Sequence, residues 1–271
     1  NLYAKVGFNF GAEDEQRLQA SVSRFRIEGK GEYVQVLGCR GPTDTPPCAV
    51  PRTNTSEKGH IFGAKDAFND FKQYQLQYTN DKFFGGYLDV NAYKADQSMR
   101  YLPENTEDKQ DPLIAPLGTL YDQSEILVHK KGLRTSWTRP DIFNVAGLEL
   151  HTGIDFGKDQ AQQRLALTNR LWVPPMDYKS VATYAQLSWD LGPVTLSAGY
   201  RREDDKLTVN SYTTTYYRNR VFVQGGGLKY KEGLKNFGAI WRVDDQWSTF
   251  LSYSEGFTLP NVGIPLRNVN V

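Results

Sequence analysis

In Val181-Ala-Thr-Tyr-Ala-Gln-Leu-Ser-Trp189, larger apolar and more polar side chains alternate along the chain. A similar alternation follows the turn Asp190-Leu-Gly-Pro193, in Val194-Thr-Leu-Ser-Ala-Gly-Tyr200. Because neighbouring side chains of a strand point to opposite faces, both segments predict strands with one apolar and one polar face. The short turn between them predicts an antiparallel hairpin.

The same alternation recurs outward from this hairpin in both directions and predicts ten strands. They lie near Leu2 to Phe10, Leu18 to Ile27, Phe71 to Thr79, Gly86 to Tyr101, Tyr121 to Thr135, Val145 to Gly157, Val181 to Trp189, Val194 to Glu203, Gly227 to Val243, and Trp247 to Tyr253.

The predicted connections alternate between short and long. A short polar turn follows every odd-numbered strand, and a longer segment follows every even-numbered one. The long segments cover residues 29–69, 102–120, 158–178, 204–226 and the tail from 255. All long connections therefore lie on one side of the sheet, which is typical of outer-membrane β-barrels.

The composition is consistent with a β-barrel and excludes helical membrane proteins and nucleic-acid-binding proteins. The chain has 16 Tyr, 14 Phe and 5 Trp, but no apolar run near the roughly 18 residues that a membrane-spanning helix needs. Its 32 basic and 31 acidic residues give no basic excess of the kind that nucleic-acid binding requires. Four tryptophans close to the predicted short turns are typical of an aromatic girdle at a membrane interface: Trp137, Trp189, Trp241 and Trp247.

Three segments carry a resemblance to a known family: Tyr184-Ala-Gln-Leu-Ser-Trp-Asp-Leu191, Ala198-Gly-Tyr-Arg-Arg-Glu203 and Ser252-Tyr-Ser-Glu-Gly-Phe-Thr-Leu-Pro-Asn261. In this order and spacing they resemble the TonB-dependent outer-membrane receptors, particularly the ferric-siderophore branch. The resemblance is strongest from residue 178 to 261 and extends weakly over the remaining chain.

The resemblance implies a transmembrane β-barrel of about 22 strands, filled by a plug domain that engages the TonB complex. The ten strands of residues 1–271 would then be part of that barrel, with the plug domain and the C-terminal strands absent. Each edge of an open arc would leave backbone groups unpaired, which is costly in lipid. We therefore expect these residues to belong to a longer receptor in a bacterial outer membrane.

Two cysteines, Cys39 and Cys48, bracket a Pro-rich stretch in the longest connection. In an oxidising compartment this pattern predicts a local disulfide that stiffens the loop. A metal site is the alternative, but His60 is the only nearby histidine, and zinc sites need more ligands. We predict no metal.

No catalytic group is predicted. Glu149, His151 and Asp155 share one face of a strand and could act as acid and base groups. The alternative, which we favour, is that they are solvated residues of a polar barrel interior. His129 and His60 lie too far away in sequence to complete a cluster.

The segment Asn210-Ser-Tyr-Thr-Thr-Thr-Tyr-Tyr-Arg-Asn-Arg220 is dense in Tyr and Arg. Guanidinium groups suit anionic ferric chelates, and tyrosines offer rigid amphipathic surface. By analogy with the family, external loops build the ligand pocket, so the candidate ligand residues are Tyr212, Tyr216, Tyr217, Arg218, Arg220 and, from another connection, Trp172. The alternative is that the segment only extends the flanking strands above the membrane.

The resulting hypothesis is an outer-membrane receptor that takes up a ferric siderophore or similar chelate with energy from the TonB complex. Its expected partners are outer-membrane lipid, the ferric siderophore and, through the plug domain, TonB; no cofactor is needed. Two alternatives stay open from the sequence. They are an omptin-like outer-membrane protease, which the strand count favours, and a passive diffusion porin.

Overall fold

The computed structural model describes residues 1–29, 33–36, 55–59, 61–258 and 266. Ten long strands form one antiparallel sheet, in which each strand pairs with its neighbours along the chain. They are β1 (Leu2–Phe10), β2 (Gln16–Gly29), β5 (Ala67–Phe83), β6 (Gly86–Arg100), β7 (Ser124–Arg139), β8 (Leu148–Leu165), β9 (Arg170–Asp190), β10 (Val194–Val209), β13 (Gly226–Arg242) and β14 (Ser248–Ser254).

Two short hairpins lie outside this sheet. One pairs β3 (Tyr33–Val36) with β4 (Thr55–Lys58), and the other pairs β11 (Tyr212–Thr213) with β12 (Phe222–Val223). No helix in the described part of the chain has the length and apolar character needed to cross a bilayer.

All ten predicted strands are confirmed, but several are longer than the alternation indicated. The prediction of a long loop at 158–178 is wrong, because β8 continues to Leu165 and β9 begins at Arg170. Only residues 166–169 connect them. Residues 158–164 of β8 are almost all polar, and residues 171–176 of β9 form one apolar run that includes Pro174 and Pro175. The alternation of period two therefore stops, while the ladder continues, for example between Asp159 and Tyr178.

The sheet has one apolar and one polar face, as predicted. Directly paired residues share a face, and the pairs Leu150 with Leu187 and Leu196 with Trp189 lie on the apolar one. Leu187 and Leu196 are 42% and 43% exposed. No second sheet covers this face in the described residues. A long half-exposed apolar face is what a strand wall offers to lipid.

The short connections all lie at one end of the sheet, here called the short-turn end. They are residues 11–15, 84–85, 140–147, 191–193 and 243–247. Gly192 has a φ of 85°, which favours glycine, in the tight turn between β9 and β10. Trp137 donates its indole N–H to the carbonyl oxygen of Phe83 at 2.9 Å, as expected for an aromatic ring with a polar edge at an interface.

The opposite, long-loop end carries residues 101–123, 166–169 and 210–225. The buried apolar side chains are concentrated near it, and they include Leu120, Leu165, Trp172, Val173 and Tyr212. The ten-stranded sheet, here called the wall, thus carries a folded group of loops at one end. This group, here called the cap, consists of residues 101–123, 166–169 and 210–225.

Candidate functional site

The loop 101–123 is folded around the side chain of Gln110, which is 2% exposed. Its amide nitrogen donates to the carbonyl oxygens of Asn105 and Leu120, both at 2.9 Å. Its amide oxygen accepts the backbone N–H of Gly118 at 2.8 Å. One side chain therefore satisfies backbone groups on both halves of the loop, which would otherwise be buried without partners.

Asp122 and Gln123 join this loop to its neighbours. The carboxylate of Asp122 is fully buried and accepts the backbone N–H of Leu167, in the connection 166–169, at 2.9 Å. The amide nitrogen of Gln123 donates to the carbonyl oxygens of Lys65 and Tyr101, at 2.7 and 3.0 Å. Three separate connections are consequently held in one arrangement.

Lys109 is a buried cation in the same loop, with 1% of its side chain exposed. Its ammonium group pairs with the carboxylate of Glu104 and donates to the hydroxyl of Thr106 at 2.9 Å. It also lies 4.1 Å from the ring centroid of Trp172, a cation–π contact. A buried charge is tolerated when it is paired in this way.

A chain of charged groups continues from Lys109 towards the 210–225 segment. Arg170 donates to the carbonyl oxygen of Lys109 at 2.5 Å and to the carboxylate of Asp122 at 3.3 Å. Asp111 lies 3.8 Å from Arg170 and pairs on its other oxygen with Arg220. We call this set the loop cluster: Lys109, Gln110, Asp111, Asp122, Arg170, Trp172 and Arg220.

Two of the six predicted ligand residues, Tyr212 and Trp172, are almost fully buried. Tyr212 is 7% exposed and donates its hydroxyl to the carbonyl oxygen of Leu266 at 2.8 Å; burial raises the pKa of this tyrosine. Trp172 is 8% exposed and lies in β9 rather than in a loop. Both contribute to the packing that shapes the long-loop end.

The other four predicted residues keep exposed surface. Tyr216, Tyr217 and Arg218 form a single 3₁₀ turn and are half-buried, and Arg220 follows just after it. The guanidinium of Arg218 lies 4.7 Å from the ring centroid of Tyr217, and that of Arg220 lies 4.8 Å from that of Tyr216. The turn thus presents two stacked Arg–Tyr pairs side by side. Their role in ligand binding stays a prediction.

The structure brings Trp172 and Arg220 into one cluster, although they are distant in sequence. Sequence reasoning missed the residues between them, namely Lys109, Asp111 and Arg170. A polar loop without periodicity offers no signal that one of its lysines will be buried.

The polar face carries a smaller group near the middle of the sheet. Arg201 pairs with Asp155 at 3.0 Å and with Glu203 at 2.6 Å, and it lies over the ring of Tyr184. Arg201, Asp155 and Tyr184 border a cavity of about 280 Å³. His151 instead contacts the hydroxyl of Thr138 at 2.8 Å. Its ring also lies 5.4 Å from that of Tyr184. His151 and Asp155 thus have different polar partners, Thr138 and Arg201, which favours their interpretation as polar lining residues.

Within the described ranges, no group of three or more His, Cys, Asp and Glu side chains could hold a metal ion. Cys39, Cys48 and His60 lie outside the described residues, so the disulfide stays a prediction.

The family model described as "TonB dependent receptor-like, beta-barrel" matches residues 34–267. This chain belongs to that family. Its members are receptors and transporters rather than enzymes, and the barrel is of an outer-membrane type. The match disfavours the omptin-like alternative.

Among curated proteins, the chain is similar to the ferric aerobactin receptor of Klebsiella pneumoniae, at 20% identity over 69% of this chain and 28% of that receptor. The FrpB iron transporter of Neisseria meningitidis, in its apoprotein form, covers 98% of this chain with a TM-score of 0.64 at 15% identity; this chain covers 37% of it. The copper transporter OprC covers 90%, with a TM-score of 0.58 at 11% identity and 34% of its own length covered. The chain therefore spans about a third of the length of these relatives.

Proposed function

We propose that this chain forms part of the barrel of an active-transport receptor that takes up a ferric siderophore or a similar metal chelate, driven by the TonB complex. Family membership supports receptor-mediated transport. The name of the ferric aerobactin receptor, which is similar over 215 residues, supports a ferric chelate as the ligand.

The observation that carries the proposal is the pair of stacked Arg–Tyr contacts at the long-loop end. Arg218 and Arg220 present cationic groups beside two aromatic rings, and Asp111 pairs with Arg220. Fixed guanidinium groups suit the carboxylates, hydroxamates or catecholates of an anionic chelate. The other members of the loop cluster hold Arg220 in place through Asp111, which lowers the entropic cost of binding.

Uptake of complexes labelled with radioactive iron or copper, by a strain that carries only this receptor, tests the proposal. The panel contains a hydroxamate–citrate chelate such as ferric aerobactin, a catecholate chelate, and a copper complex. We expect uptake of a ferric chelate, and its loss when the TonB protein is deleted. Uptake of copper alone, of no metal complex, or of iron without TonB would contradict the proposal.

A double variant, Arg218→Ala with Arg220→Ala, tests the site itself. Losing two charge-assisted contacts should weaken chelate binding by about tenfold to a hundredfold. The matched control is Arg139→Ala with Arg242→Ala, since both arginines donate to backbone carbonyls at the short-turn end. Equal losses in both variants would show that the Arg–Tyr pairs do not bind the chelate.

A further inference from the structure

A basic residue borders the apolar face in every strand from β2 to β13 of the sheet, eight strands in a row. In each, it is the first side chain beyond the apolar positions towards the long-loop end. We call this row the basic collar: Arg24, Lys72, Lys94, Lys131, Lys158, Lys179, Arg202 and Lys235. At the short-turn end of the same face, β7 carries Arg139, but β2, β5 and β6 carry Gln16, Asn80 and Gly86. The continuous row of cations therefore lies at the membrane interface on the long-loop side.

The register places four lysines of the collar directly opposite one another. Lys94 pairs with Lys131, Lys131 with Lys158, and Lys158 with Lys179. Like charges directly opposite across a sheet destabilise it. Internal carboxylates compensate them poorly: Lys94 and Lys158 lie 3.9 and 3.8 Å from Asp96 and Asp177, and Lys131 and Lys179 have no ion pair within the described structure. The row of lysines therefore favours the binding of an anion from outside the chain.

A pocket of about 380 Å³ lies among these lysines. It is lined by Lys94, Asp96, His129, Lys130, Lys131, Lys158 and Gln160. All but Lys130 lie on the apolar side of the sheet, as their pairing shows. The single carboxylate there, Asp96, is contacted by the imidazole of His129 at 2.6 Å. The pocket therefore keeps an excess of positive charge.

An apolar groove of about 1050 Å³ adjoins this pocket and shares Lys94, Lys131 and Lys158 with it. Most of its lining comes from the same face, including Tyr74 and Phe156, which are 50% and 45% exposed. A cationic pocket that opens into an apolar groove matches a molecule with an anionic head and a hydrocarbon tail. Lysine suits the boundary, because its stem can lie along apolar surface while the ammonium group reaches the head.

We propose that this face binds a phosphate-bearing lipid of the leaflet on the long-loop side. Its phosphate lies in the pocket between Lys94, Lys131 and Lys158, and an acyl chain lies in the adjoining groove. Clusters of basic side chains at a membrane interface recognise anionic headgroups in this way. A free phosphate ion would fill the pocket but leave the groove unused.

Native mass spectrometry of the full-length receptor in detergent tests this site. The added probes are bisphosphorylated lipid A, chemically dephosphorylated lipid A, and inorganic phosphate as a competitor. The triple variant Lys94→Gln, Lys131→Gln, Lys158→Gln should weaken binding of the phosphorylated lipid about tenfold to a hundredfold and leave the dephosphorylated lipid unaffected. The matched control is Lys206→Gln, Lys229→Gln, Lys231→Gln, which removes equal charge from the same face outside the pocket and should change binding less than about twofold.

Equal weakening by the two triple variants would overturn the proposal, as would weakening of both lipids alike. Displacement of the lipid by millimolar inorganic phosphate would assign the pocket to a free anion instead. If the triple variant does not fold, the single variant Lys131→Gln is measured in its place. We expect it to weaken binding of the phosphorylated lipid about fivefold, and no change would contradict the site.

Discussion

Near the short-turn end of β9, Ala185 and Leu187 face one side and Gln186 and Ser188 the other, and Leu187 is 42% exposed on the apolar face. At the long-loop end, by contrast, the amide group of Gln110 alone bonds to the backbone of both halves of a loop. The wall depends on which face a residue occupies, so that many apolar side chains are equivalent. The loop cluster depends on individual polar groups, so that few substitutions are tolerated.

The largest expected effect is a loss of stability of the wall. Leu187→Arg places a charge on the apolar face, whereas Gln186→Arg places the same charge on the polar face one residue away. Leu187 lies between the centre of the apolar face and the girdle residue Trp189, so we expect Leu187→Arg to lower the free energy of unfolding by about 1–3 kcal/mol and the control to change it little. Urea-driven unfolding of the full-length receptor in phosphatidylcholine vesicles measures both. Similar values for the pair would mean that the two faces do not differ in their contact with lipid.

The next effect concerns the loop cluster. Gln110→Ala removes the amide that satisfies the buried backbone of residues 105, 118 and 120, at a cost of about 1–3 kcal/mol. Because the strands do not depend on this side chain, the loss should be local. Hydrogen exchange should accelerate in residues 101–123 but not in β9. Gln224→Ala, at an exposed glutamine of the 210–225 segment, is the control and should leave the exchange unchanged. Uniform acceleration over the whole sheet would show that cap and wall are one cooperative unit.

The smallest effect separates structure from binding at Arg220. Its side chain is 37% exposed, so its pair with Asp111 should contribute only about 0.2–1 kcal/mol. A double-mutant cycle with Arg220→Ala and Asp111→Ala measures this coupling in the unfolding free energy. A coupling well above this range would make Arg220 mainly a structural residue and weaken its assignment to the ligand.

The wall could be predicted from the sequence because its apolar and polar side chains alternate with a period of two residues. Val181, Thr183 and Leu187 share a face by spacing alone, and each short turn carries polar or glycine residues such as Gly192. The same reasoning failed at 158–178, because residues 158–164 are almost all polar and the apolar residues 171–176 are consecutive, so that neither segment alternates with the period of a strand.

The loop cluster could be predicted only in part. Tyr and Arg density pointed to the 216–220 turn, and the structure finds those residues half-buried or exposed there. The burial of Lys109 against Trp172 depends on contacts between segments about 60 residues apart, which no local pattern encodes. The basic collar was not predicted either, because only the strand register shows that its members lie in one row across the sheet.

The apolar face of this sheet should contact lipid and the polar face water. Single spin labels along residues 181–189 of the full-length receptor in bilayers, with Cys39 and Cys48 replaced by serine, test it directly. Labels at 181, 183, 185 and 187 should be more accessible to oxygen, and labels at 184, 186 and 188 to a water-soluble nickel chelate. Equal accessibility of both series, or the reverse pattern, would show that the apolar face does not contact lipid.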